Sequence, residues 1–113
     1  MKIAVAMLCH KNVEQINSLL RAMENENISF FIHVDRKSTI SRHDISGNNV
    51  TVIPMECSVD IQWGGFGMIE ATLRIIETIR QSNQEYDYIW LMSGQDWPLR
   101  SADDIVKYIE NHN

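Results

Sequence analysis

The polar residues best placed for chemistry fall in three short segments, two of them directly behind an apolar run. In the first, Asp35 follows Ile32-His33-Val34 and opens Asp35-Arg36-Lys37-Ser38. A carboxylate just past a strand end accepts hydrogen bonds from a base N–H or from ribose hydroxyls, the logic of dinucleotide sites. It serves equally well as a loop aspartate capping a turn with Arg36 or Ser38, and spacing alone leaves both readings open. His33 stands one residue before a buried-strand position, so it reads as a packed, hydrogen-bonded histidine rather than a general base or metal ligand. His10, behind the first apolar run, reads either as a ligand contact or as a polar loop residue.

In the second segment, Trp63-Gly64-Gly65-Phe66-Gly67 opens a helical pattern. Small residues there expose backbone N–H groups, and a helix N-terminus favours a phosphate. The dinucleotide fingerprint does not fit, because Gly65-x-Gly67-x-x-Glu70 ends in an acid and does not follow the first strand. Tight loop packing with Trp63 in the core explains the same residues. The third segment, Ser93-Gly94-Gln95-Asp96-Trp97-Pro98-Leu99, clusters polar groups after a strand expected to be buried. Gly94 there suits an unusual backbone angle, and Pro98 stiffens the exit. Asp103 and Asp104 read as structural, since carboxylates in a first helical turn suit the dipole.

The elements that must position these groups alternate. Ile3 to Cys9 is continuously apolar, as expected of a central strand covered on both faces in a parallel sheet. Asn12 then caps a helix with Val13, Ile16, Leu20 and Met23 at helical spacing, ended by Asn25-Glu26-Asn27. Ile28 to Val34 reads as a second strand, the stretch through Ser46-Gly47-Asn48-Asn49 as loop, and Val50 to Ile53 before Pro54 as a short third strand. Phe66, Ile69, Leu73, Ile76 and Ile79 form an apolar stripe opposite Glu70, Arg74 and Glu77, which predicts a helix. Tyr86 to Met92 is a fourth strand, and Ser101 with Asp104 opens a last helix through Ile105 and Ile109. This order predicts an α/β layered domain with a mostly parallel sheet, whose ligands bind beyond the carboxyl ends of its strands.

Composition narrows the class further. At 113 residues and 44% hydrophobic content, the chain forms one domain with a single core and needs no metal or disulfide staple. A net charge of −5 argues against a general nucleic-acid or anionic-membrane binder. Cys9 and Cys57 lie in no CxxC or Cys/His cluster and read as reduced thiols. The first apolar run is too short to cross a bilayer and lacks the features of a signal peptide, so a cytosolic or peripherally attached protein is expected. A phospho-receiver domain has this size and strand pattern but needs an acidic pair where this chain has Cys9-His10-Lys11.

Taken in order, Cys9-His10-Lys11, Phe31-Ile32-His33-Val34-Asp35-Arg36-Lys37-Ser38, Trp63-Gly64-Gly65 and Leu91-Met92-Ser93-Gly94-Gln95-Asp96-Trp97-Pro98-Leu99-Arg100 resemble the N-terminal part of one family. It is that of the core-2/I-branching N-acetylglucosaminyltransferases and peptide O-xylosyltransferases. Each piece is weak alone, and the ordered combination across nearly the whole chain is specific.

The resemblance implies a GT-A-like, Rossmann-like fold, a UDP-sugar donor, a glycan or other hydroxyl acceptor, and inverting transfer with neither cofactor nor bound metal. No Asp-x-Asp pair of the metal-dependent kind occurs in the chain. Carried over residue by residue, it implies a uridine pocket lined by Leu8, Cys9, Asp35, Ile61, Gln62 and Trp63. Asp96 would face the sugar or acceptor side and is this chain's one catalytic candidate. Family members continue well beyond this length, and their catalytic carboxylate and diphosphate-neutralising Arg and Lys residues lie in that further part. Residues 1–113 are therefore expected to be a donor-binding portion, inactive alone. On the same comparison the animal members carry a Golgi membrane anchor, whereas here the first strand starts at Lys2, which favours a cytosolic enzyme with peripheral membrane association. A non-catalytic nucleotide-binding or interaction module is the alternative, and Asp35→Ala in a folded chain is expected to weaken uridine-nucleotide binding.

Overall fold

The continuous apolar run becomes β1 (Ile3–Cys9), and every one of its side chains is buried. The computed structural model describes residues 2–61, 66–98 and 100–112. β1 pairs in parallel with β2 (Ile28–Val34) on one side and with β4 (Tyr88–Ser93) on the other, and β3 (Val50–Val52) extends the sheet beyond β2. The order is β3-β2-β1-β4, all parallel, as the alternating pattern predicts.

Helices cover both faces. Alternation along β1 sends Ile3, Val5, Met7 and Cys9 to one face, where they pack with α1 (Val13–Ala22) through Ile16, Leu19 and Leu20. The same core takes Ala102 and Val106 of α3 (Ala102–Asn111). Ala4, Ala6 and Leu8 point to the opposite face with Phe31, Ile53 and Ile61, under Ala71, Ile75 and Ile79 of α2 (Phe66–Gln81). Alanines on β1 leave room for α2 to lie close over β1 and β2. A buried isoleucine such as Ile75 contributes about 1.5–3 kcal/mol through its burial.

The helix ends follow local chemistry. Asn12 caps α1 from a left-handed backbone (φ 63°), and its side chain accepts the Gln15 N–H at 3.2 Å. Asparagine tolerates that region better than other L-residues. Ser101 caps α3, accepting the Asp104 N–H at 3.1 Å, as expected from the Ser101/Asp104 spacing.

Two expectations are corrected. Of the stripe from Phe66 to Ile79 only Ile79 faces the core: Phe66 is 76% exposed and Leu73 58%, with Ile69 and Ile76 exposed beside them. The face α2 buries is Ala71, Ile75 and Ile79, which pack against Ala4, Ala6 and Leu8 of β1 and Phe31 of β2. Nor is β4 a buried strand. Among the described residues it pairs only with β1, and Tyr88, Ile89 and Leu91 are exposed while Met92 is buried. Ile89 and Leu91 stand in register with Ala4 and Ala6, on the α2 side of the sheet, but α2 packs over β1 and β2 instead. Among the described residues no helix is long and apolar enough to cross a membrane.

Candidate functional site

In this strand order the chain moves from β1 outward to β2 and β3, then returns to the other side of β1 with β4. The switch point lies between the carboxyl ends of β1 and β4, and the crevice beyond it is where an open parallel sheet binds ligands. Cys9-His10 and Ser93-Gly94-Gln95-Asp96 flank that point, and the end of β2 stands one strand away.

At the end of β2 a set of hydrogen bonds clasps residues 59–61 against residues 33–37. The Val59 N–H donates to Nε2 of His33 at 3.0 Å, and the Arg36 N–H donates to the Val59 carbonyl at 3.2 Å. The Ile61 N–H donates to Oδ1 of Asp35 at 3.2 Å, and Nζ of Lys37 donates to the Ile61 carbonyl at 2.7 Å. Oδ1 of Asp35 also accepts the Lys37 backbone N–H at 3.1 Å, and Nζ of Lys37 lies 3.3 Å from Oδ2. At its strand end Asp35 thus caps its own turn, as one of its two readings has it, with Lys37 rather than Arg36 or Ser38 meeting its carboxylate.

These surroundings set its charge. Burial alone would raise the Asp35 pKa, but the backbone N–H groups of Lys37 and Ile61 and the Lys37 ammonium outweigh it and hold the carboxyl below its ordinary value. His33 is fully buried and its pKa is lowered, first by burial; the charges of Arg42 and Arg74 push the same way, while its backbone hydrogen bond and Asp35 oppose. It is the packed, hydrogen-bonded histidine that its position in β2 predicts.

Leu8, Cys9, Asp35 and Ile61 come together, although they are far apart along the chain. Leu8 and Ile61 share the α2-side core, and the Cys9 carbonyl accepts the Asp35 N–H at 2.8 Å. The Cys9 thiol points the other way, into the α1-side core, and burial pushes its pKa up to about 12 despite the opposing Gly94 backbone hydrogen bond. Cys9 therefore offers the crevice backbone rather than a thiolate, and both cysteines are free thiols. Gln62 and Trp63 lie outside the described residues, as do Gly64 and Gly65 of the glycine-rich segment.

Asp96 stands across the switch point and is exposed. Its Oδ2 accepts the Ser93 N–H at 2.9 Å, which closes the turn that leaves β4. Gly94 is needed there for space rather than for the unusual backbone angle expected of it. A Cβ at Gly94 would meet Sγ of Cys9 at 2.7 Å and Cγ1 of Ile16 at 3.1 Å, and its φ is not in the left-handed region. A hollow of about 660 Å³ beside α3, lined by Arg100, Ile105 and Tyr108 among others, holds none of the predicted site residues.

Lys37 and Val59 were not singled out from the sequence. Lys37 stands two residues from Asp35, a weak local signal, but nothing in the chain announces that residues 33–37 meet residues 59–61.

Residues 3–113 match the family model described as Core-2/I-Branching enzyme. The chain is 25% identical over 112 residues to a rat beta-1,3-galactosyl-O-glycosyl-glycoprotein beta-1,6-N-acetylglucosaminyltransferase 3, covering 96% of this chain and 26% of that relative. It is 26% identical to dog xylosyltransferase 2, over 98% of this chain and 13% of the relative. Against the mouse N-acetyllactosaminide beta-1,6-N-acetylglucosaminyl-transferase it is 26% identical, over 96% of this chain and 28% of the relative. The chain thus spans about a quarter or less of the rat and dog proteins.

Proposed function

The chain belongs to the Core-2/I-branching enzyme family, and from that premise we propose that it forms the donor-binding part of a glycosyltransferase acting with a UDP-sugar. The observation that carries this reading is the junction of Cys9, Asp35 and Ile61 beside the switch point of a parallel sheet. Leu8 and Ile61 supply apolar wall for the uracil, and the family resemblance assigns Gln62 and Trp63 to the same pocket. Oδ2 of Asp35 supplies the acceptor for a base N–H or ribose hydroxyl: its contact to Lys37 at 3.3 Å is long for a charge-assisted bond and is readily shared.

In this reading the diphosphate and sugar extend across the switch point toward Asp96. Transfer is to a glycan or other hydroxyl, and the named relatives favour N-acetylglucosamine or xylose as the sugar. Inversion needs a base to deprotonate the acceptor hydroxyl and cations to stabilise the leaving diphosphate. Asp96, tied into its own turn, serves to position sugar or acceptor, and the base and cations belong to sequence beyond this part of the fold. The donor is held without a metal, since the β4 exit carries Ser93-Gly94-Gln95-Asp96 in place of an Asp-x-Asp pair.

Calorimetric titration of the chain with UDP and with ADP, each in EDTA and then in excess manganese, tests this. UDP-selective binding that persists in EDTA is expected; absence of UDP binding under both conditions overturns the reading. The second reading, an association module, is favoured by the exposed Phe66, Ile69, Leu73, Ile89 and Leu91. It requires a molecular size that rises with concentration and does not respond to UDP.

A further inference from the structure

His33 has no part in the donor pocket as proposed, yet its geometry ties it to the segment that forms one wall. Its ring lies on the α2 side of the sheet, in register with Leu8, and is wholly buried. Nε2 accepts the Val59 N–H at 3.0 Å, so that nitrogen must be unprotonated and the ring proton sits on Nδ1. Nδ1 is itself buried, with no hydrogen-bond partner among the described residues. Adding a second proton replaces an acceptor by a donor pointing at the Val59 N–H, and places a cation in a buried site where only the His33 backbone and Asp35 favour it.

The charges facing the ring come from three elements. Asp35 at the end of β2 favours protonation, whereas Arg42 of the 42–44 turn and Arg74 of α2 oppose it. Asp35 is already engaged by Lys37 and by the Ile61 N–H, which limits what it contributes to a histidinium. Val59 is two residues from Ile61, and the His33 and Asp35 bonds hold the same short segment from either end.

We infer that neutral His33 is a positioning residue that keeps the 59–61 wall of the donor pocket in place, and that its protonation releases this wall and lowers affinity for the uridine nucleotide. This rests on the donor-site reading for its ligand but not for the latch itself. The latch operates below the ordinary histidine value of 6.5, because the folded pKa lies under it. Affinity is full above that value and falls as pH drops through the folded pKa, by at most about tenfold for each further pH unit, the limit for one linked proton.

Two measurements on the full chain separate the latch from the donor reading. In the first, without nucleotide, two-dimensional NMR follows the His33 ring nitrogens and the Val59 and Ile61 amides from about pH 7.5 to about 4.5, a range that brackets the ordinary histidine value. A neutral Nδ1–H tautomer, with both amides shifting at the ring's own midpoint, is expected; a ring that titrates while the amides stay still overturns the latch, whether or not any nucleotide binds. In the second, UDP-N-acetylglucosamine is titrated over the same range, because its diphosphate, esterified at both ends, has no second ionisation in that range. His33→Gln places an amide oxygen where Nε2 stood and cannot titrate, so its affinity should stay flat where the wild type falls. A variant that loses affinity in parallel with the wild type overturns the coupling. If His33→Gln does not fold, the NMR titration of the wild type decides alone.

Discussion

Two strand ends flank the centre of this sheet, each carrying an aspartate in a turn, and they meet opposite fates. Asp35 is 4% exposed and bonded to a segment 26 residues away, whereas Asp96 is exposed and its carboxylate closes its own turn. Both read alike along the chain, as a carboxylate behind an apolar strand. The difference comes from neighbours. β2 lies inside the sheet under α2, and residues 58–61 return over its end, while β4 stands at the edge of the described sheet. A carboxylate closed in by a returning segment is held by the fold, here through Oδ1; one at an uncovered end stays open to solvent.

Removing the buried member should cost most. Asp35→Ala leaves the Ile61 and Lys37 N–H groups without their acceptor, and a loss of about 3 kcal/mol in denaturant unfolding is expected. Asp35→Asn keeps an oxygen for the Ile61 N–H, so it separates nucleotide binding from stability; a chain equally stable as Asp35→Ala would show that the clasp holds nothing.

At the other end, Gly94→Ala should destabilise by about 2 kcal/mol, since its Cβ meets buried Cys9 and Ile16 atoms that have little room to move. Combining it with Cys9→Ala removes the closer clash, and recovery of part of the loss, measured as a double-mutant cycle, is the expected result. Strict additivity would mean that the glycine serves something other than the approach to Cys9.

Asp96→Ala loses one turn bond at an exposed site, and about 1 kcal/mol or less is expected. A loss as large as that of Asp35→Ala would erase the contrast between the two ends. Asp96→Asn should retain most of the turn and, if Asp96 meets the sugar or acceptor, reveal this in donor or acceptor affinity.

The smallest effect is the most selective in pH. The folded pKa of Asp35 lies below the ordinary 3.8, so the unfolded chain binds more protons in that region and stability falls as pH drops. The stabilisation is complete above about 3.8 and disappears through the folded value. Asp35→Asn should flatten this acid limb and, by removing a charge that favours His33 protonation, move the His33-dependent region to lower pH. Equal acid limbs in both chains would remove Asp35 from the acid response.

How much of this was legible in the chain depends on the range of each interaction. The continuous apolar run of β1, the Asn12 and Ser101 caps and the alternation of strands and helices act over a few residues, and the sequence alone determines them. It also determined where the strands end, and so placed Leu8, Cys9, Asp35 and Asp96 at or beside those ends. The sides chosen by α2 and β4 were not determined in this way. α2 carries apolar residues on more than one face, so only packing against Ala4 and Ala6 selects Ala71, Ile75 and Ile79 and leaves Phe66 and Leu73 exposed. Likewise, only the tertiary structure brings Val59 and Ile61 to His33 and Asp35, because hydrogen bonds between segments that far apart follow from how the chain returns over the sheet. Local pattern decides what an element is, and closure of the fold decides which of its groups are consumed and which remain for a ligand.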